Sequence, residues 1–154
     1  MNEEKPSYLV KAERFCAMGE QCEYAVREKL RQWGANDVES DEVVSQLKEF
    51  GFLDESRYAQ IYCRSKVRLQ RWGRRKIQYQ LRMKHVPDAL IRDGLASVSD
   101  EDYAMALHSV AENKWKSYAK SDPRRKYKLV AFLQSRGFEM DEIMEELKNL
   151  NNLD

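Results

Sequence analysis

Leu81, Ile91 and Leu95 are followed in the chain by Leu133, Ile143 and Leu147, and the offsets of 10 and 14 residues from each leading Leu are the same. Leu30, Val43 and Leu47 keep the order, with three extra residues after Leu30. An internal repeat constrains a fold more than any single segment does. Each unit is one supersecondary piece that buries its apolar face against its own helices and against the next unit. Three units follow, at approximately 7–52, 53–98 and 99–150, each with a longer first helix, a basic or mixed second helix and a short third helix. The expected fold class is all-α: three tandem three-helix repeats forming an elongated, curved body.

The local signals are helical. Tyr58, Ile61, Tyr62, Ser65 and Leu69 fall at i, i+3, i+4, i+7 and i+11, a single helix stripe. Trp33-Gly34, Phe50-Gly51-Phe52 and Arg136-Gly137-Phe138 read as helix ends that place Gly in the left-handed conformation. Asp54, Ser99 and Asp122 read as N-caps, with Pro123 at the first helical position and Pro87 opening a helix in the same way. Residues 127–133 fit a strand or a buried helix equally well.

Composition narrows the class. In 154 residues, six Gly and three Pro are too few for a barrel of many short strands. No run approaches the roughly 20 apolar residues of a spanning helix, so no membrane association is expected. The start, Met1 to Pro6, is polar and acidic, unlike a signal peptide. Cys16, Cys22 and Cys63 are odd in number and lack CxxC spacing, and only His85 and His108 are present. Packing cysteines in a reducing, cytoplasmic setting fit this better than disulfides or zinc. No nucleotide-binding loop, zinc-protease or nucleophile-elbow motif occurs. Hence no catalytic residue, no metal ligand and no cofactor are expected. The acidic groups at Asp37–Glu42 and Glu139–Glu142 read as helix starts, favoured by the dipole.

The net charge of +1 hides a strong polarity. From Ser56 to Pro87 there are ten basic residues and no acidic one. The other 122 residues hold 17 basic and 26 acidic residues, a net −9. On a wheel with Tyr58, Ile61, Tyr62 and Leu69 turned to the core, Arg57, Arg64, Arg68 and Arg71 lie within about 60° of one another, about 110° from that core. In the next helix Ile77 and Leu81 point inward, and Arg75, Tyr79 and Arg82 point nearly opposite, with Arg74, Lys76 and Lys84 nearby. Lys66 belongs to the same stretch. Ten like charges with no acid nearby in sequence suit an external anion. Arg124, Arg125, Lys126 and Lys128 echo the cluster in the third unit, among Lys114, Lys116 and Lys120. These basic residues and Tyr79 are the candidate contacts.

The segment from Gly51 to Tyr62, Gly-Phe-Leu-Asp-Glu-Ser-Arg-Tyr-Ala-Gln-Ile-Tyr, resembles the signature of the RecX family of bacterial recombination regulators. That signature is a Gly, an apolar pair, Asp-Asp/Glu, Arg-Phe/Tyr-Ala and an aromatic. A basic helix follows, here Gly73-Arg74-Arg75-Lys76-Ile77 closing on Leu81. The chain departs from the pattern at His85, where a Gly is usual, and at Trp72, where loop breakers are frequent. The resemblance spans roughly residues 8–150 and implies a nine-helix protein without a catalytic site. It implies binding in the groove of the RecA–DNA filament, bridging of protomers, and reduced ATP hydrolysis, strand exchange and filament growth in DNA repair and the SOS response. Whether the DNA phosphate backbone is touched directly or only through RecA is left open. The cationic residues above then become the RecA/DNA-binding surface, on a monomer, since no long apolar stripe is left over. Reversing Arg71, Arg74 and Arg75 to Glu is expected to abolish inhibition and spare the fold. The alternative is a sequence-independent DNA-binding helical module. A helix-turn-helix reader needs one distinguished recognition helix, and none stands out here.

Overall fold

The computed structural model describes residues 7–152. The polar start read from Met1 to Pro6 lies outside them. Among the described residues there are nine helices and no strand. They are α1 (Tyr8–Ala17), α2 (Glu23–Gln32), α3 (Asp37–Glu49), α4 (Glu55–Gln70), α5 (Arg74–Met83), α6 (Asp88–Ala96), α7 (Asp100–Ser117), α8 (Arg125–Ser135) and α9 (Met140–Asn151).

Side-chain chemistry sets most of the boundaries. Ser7, Asp54 and Ser99 accept backbone N–H bonds at the starts of α1, α4 and α7. Asn36 and Glu39 close a reciprocal box at the start of α3. Gly34, Gly51 and Gly137 all have φ between 79° and 98°, as the three stop signals require. The signal at Asp122-Pro123 is displaced. The Asp122 carboxylate accepts the Arg124 N–H at 2.8 Å, so Pro123 sits in a turn and α8 begins at Arg125. Pro87 is likewise the residue before α6, not its first. In the first unit the expected order of lengths fails, because α3 has 13 residues against 10 in α1. Residues 127–133 resolve as helix within α8.

The face of α4 is also rotated from its expected setting. Its buried residues are Tyr58, Ala59, Cys63 and Val67, whereas Ile61 and Leu69 are exposed. The cause is close packing by α6. A Cβ on Gly94 would stand 2.9 Å from the Ala59 carbonyl oxygen and 3.0 Å from Cys63 Sγ. Helices this close accept only small side chains between them, so Ala and Cys face the core and the larger Ile and Leu do not. The shift turns the arginine stripe about 145° from the core.

Among the described residues two apolar clusters hold the molecule. The first joins Ala12, Val26, Leu30, Val43, Val44 and Leu47 of α1–α3 with Leu53. The second runs continuously through α4–α9, from Tyr58 and Ile77 through Leu107 and Leu133 to Leu150, and takes in Cys22 from before α2.

Beside this shared core, α4–α6 and α7–α9 also meet backbone to backbone. Gly73 N donates to the Arg136 carbonyl at 2.7 Å, and Arg75 N donates to the Gly137 carbonyl at 3.0 Å. The end of α8 thereby satisfies a first-turn N–H of α5. A Cβ on Gly73 would lie 2.3 Å from Gly137 C, and one on Gly137 would lie 2.5 Å from Lys76 N. Three Gly→Ala variants separate clash from backbone strain. Gly51→Ala has the left-handed φ and open space, and should cost about 1 kcal/mol. Gly73→Ala has clash alone, and Gly137→Ala has both. Each should cost at least about 2 kcal/mol in urea unfolding. Equal costs for all three would contradict the backbone joint.

Candidate functional site

Helices α4 and α5 and the loop between them carry the basic stretch. The structure supplies acidic partners that the local sequence lacks. Arg57 Nε donates to Glu20 at 2.5 Å, and its Nη2 donates to the Gly51 carbonyl at 3.0 Å. Arg68 Nε donates to Asp102 at 2.8 Å, and Arg82 Nε donates to Asp88 at 3.0 Å. Arg74 pairs with Glu142 at 3.4 Å, and Arg75 pairs with Glu139 at 3.6 Å. The acids come from before α2, from the start of α6, and from the starts of α7 and α9. Carboxylates that sit at positive helix ends therefore face guanidinium groups of the middle helices as well.

Arg74 is held by more than its ion pair. Its guanidinium lies 3.7 Å from the centroid of the Tyr103 ring, and its backbone N–H donates to the Tyr103 hydroxyl at 3.1 Å. Burial pushes that hydroxyl up to about 12. Burial also raises the Glu142 carboxyl, while the Glu139 N–H bonded to it and Arg74 beside it pull the other way. Replacing Arg74 with Glu sets two carboxylates together and empties the face of Tyr103. The expectation that reversing Arg74 spares the fold therefore needs correction.

The remaining cations are less committed. Arg64, Arg71 and Lys84 have no ion-pair partner among the described residues. Arg71 ends α4 with φ 55°, a left-handed setting that favours Gly. Lys66 and Lys76 have no acid either. Their ammonium groups lie 4.7 and 4.6 Å from the centroid of the half-buried Trp72 ring, which joins the end of α4 to the start of α5. Tyr79 is 61% exposed between Arg75 and Arg82. His85 also takes a positive φ, of 58°, and its ring packs 4.5 Å from that of Tyr24. That contact accounts for a His where Gly would be less strained.

In the third unit the candidates divide. Arg125 is buried, its guanidinium 3.6 Å from the Trp115 ring centroid and bonded to the Trp115 carbonyl, so it belongs to the interior and not to the surface. Lys128 donates to Asp122 at 2.6 Å, which holds that carboxyl below its ordinary range. Arg124 and Lys126 are exposed, with no acid partner among the described residues. His108 bridges Glu112 and Glu146 within α7 and α9. The carboxylate oxygens of Glu139, Asp141 and Glu142 lie within 4.8 Å of one another, and two of these residues already face arginines. Among the described residues no helix is long and apolar enough to cross a membrane.

What the sequence reading missed is the division of labour among the cations. Its only trace in the sequence is acid at the starts of neighbouring helices. Arg74→Ala should cost about 1–2 kcal/mol in urea unfolding, through the uncovered Tyr103 ring and the unpaired Glu142. Arg75→Ala, whose side chain is 72% exposed, should cost under about 0.5 kcal/mol. The reverse order would contradict the assignment of Arg74 to the fold.

Comparison with known proteins follows the same lines. Residues 54–95 match the second three-helix domain of RecX, and residues 100–147 match the third. A regulatory protein RecX of Clostridium acetobutylicum is 34% identical over 133 residues, covering 83% of this chain and 61% of that protein. One from Chlorobaculum tepidum is 30% identical over 120 residues, covering 78% and 73%. The chain thus spans a little under two thirds of the length of its clostridial relatives. The crystal structure of RecX from Lactobacillus salivarius superposes with a TM-score of 0.83 at 21% identity, covering 94% of both chains, a likeness of fold. The Gly51–Tyr62 segment, the nine helices and these matches agree, and the chain belongs to the RecX family.

Proposed function

We propose that this protein is a non-enzymatic regulator that binds the RecA–DNA filament and reduces its ATP hydrolysis, strand exchange and growth. Membership of the RecX family supports a regulatory role. The observation that carries the finer reading is the set of cations that the fold does not consume. Arg64 lies on α4, Arg71 and Lys84 stand just past the ends of α4 and α5, and among the described residues none meets an acid. Lys66 and Lys76 flank Trp72 beside them. Such groups gain most from an outside anion, a carboxylate of the recombinase or a DNA phosphate. Arg57, Arg68, Arg74, Arg75 and Arg82 shape the face from within their ion pairs, and Tyr79 adds an exposed ring. The protein acts as a monomer in the cytoplasm, on a filament that is itself the long partner.

Attraction of this kind weakens with salt. The DNA-dependent ATPase of the cognate RecA should fall when this protein is added below one per recombinase, and the inhibition should fade across a salt series. Unchanged ATPase together with binding to bare DNA would instead identify a DNA-binding helical module. A triple variant, Arg64→Glu, Arg71→Gly and Lys84→Glu, should weaken inhibition at least about tenfold. Its melting temperature should hold, because Gly at position 71 relieves the left-handed strain. Full inhibition by the folded triple variant would overturn the assignment of this surface.

A further inference from the structure

Between the end of α4 and the face of α7, beside the Arg68–Asp102 pair, lies a cleft of about 280 Å³. Val67, Arg68 and Arg71 line it from the α4 side. From α7 come Asp102, Met105, Ala106 and Ser109, at i, i+3, i+4 and i+7, so one stripe of that helix faces the cleft. Val67 is fully buried and Ala106 is 5% exposed, and together they make an apolar floor. Met105 stands at the rim, 69% exposed. Pockets for cofactors and drug-sized molecules run from about 300 to 1,000 Å³, so this cleft is scaled to a side chain.

The wall holds two guanidinium groups and one carboxylate. Asp102 is met by Arg68 Nε at 2.8 Å, which leaves the Arg71 charge over. Arg71 is also where the backbone is strained. With φ 55° it occupies a setting that Gly would take at less cost, and its side chain meets no acid among the described residues. A strained residue whose side chain serves no partner within the fold points to a role outside it.

The lining selects between the two anions that a RecA–DNA filament offers. A phosphodiester strand would carry repeated negative charge past Asp102 and over an apolar floor, where a charge without a partner is costly. A nucleobase would lack its usual platform, because no aromatic ring lines the cleft. A protein segment with one apolar side chain and a neighbouring carboxylate fits both parts. We propose that the cleft is a docking site for such a segment of the recombinase. The apolar side chain rests on Val67 and Ala106, with Met105 as an adaptable rim, and Arg71 grips the carboxylate through its free fork. This inference rests on the filament reading and deepens it: at this point the contact is with protein and not with DNA.

Cross-linking of the full chain tests this. Photo-methionine in place of Met puts a photoreactive diazirine at position 105. The chain is co-sedimented with filaments of cognate RecA on single-stranded DNA and then irradiated. Adducts from position 105 should fall on a recombinase peptide in which an apolar residue adjoins Asp or Glu. Adducts with DNA, or none from position 105 in co-sedimented material, would overturn the docking site. Ser109→Phe fills the cleft without changing its charge. It should weaken co-sedimentation at least about tenfold while the melting temperature holds. Unweakened binding by the folded variant overturns the docking site and leaves the filament reading standing, and the adducts decide alone where that variant unfolds. An unaltered chain that fails to co-sediment removes the filament reading, and the docking site with it.

Discussion

Two glycines without side chains at one crossing make the larger body of this protein possible. Gly73 and Gly137 bring the start of α5 against the end of α8 so closely that backbone groups bond across the joint. The start of α5 on the basic face is referred to that contact. It sets Arg74 over Tyr103 and beside Glu142, and it brings Arg75 to Glu139. It also lets one apolar cluster run without a break from α4 to α9. The first three helices keep a core of their own, while Cys22 before α2 and Ala25 within it pack into the larger one. Their links to the middle helices are side-chain contacts: Glu20 with Arg57, the Glu23 N–H with Glu55, and Tyr24 with His85.

The electrostatics follow from the same geometry. A stretch of ten cations with no local acid is self-repelling in an isolated helix pair. In the folded chain about half of that charge is met by carboxylates from other helices, and most of these pairs are partly exposed, where each is worth little. Their effect is to fix where the guanidinium groups point. Of the five cations left over, Lys66 and Lys76 lie over Trp72, and Arg64, Arg71 and Lys84 are presented on a preformed scaffold, which lowers the ordering cost of engaging a partner.

Much of this was legible in the sequence. The caps at Asp54 and Ser99, the three Gly stops, the repeat spacing and the inward Ile77 and Leu81 all follow from short-range chemistry, and the structure has them. The α4 face was misjudged because hydrophobic size was weighed and closeness of approach was not. Ala59 and Cys63 are small because α6 comes near through Gly94, a fact about two helices 35 residues apart. Asp122-Pro123 misled because an Asp that holds a turn and an Asp that caps a helix look alike in sequence. Likewise, the partners of Arg57, Arg68 and Arg74 lie 37, 34 and 68 residues away, beyond any local pattern. The burial of Arg125 depends on Trp115 in another helix and was equally hidden.

The central claim is that the face built by α4, α5 and the Trp72 loop meets the filament. Amide hydrogen exchange of this protein, free and bound to cognate RecA on single-stranded DNA, tests it most directly. Slowed exchange concentrated in residues 64–84, with α1–α3 little changed, is the result this account predicts. Protection confined to α1–α3, or none in α4 and α5 at saturating filament, would contradict it.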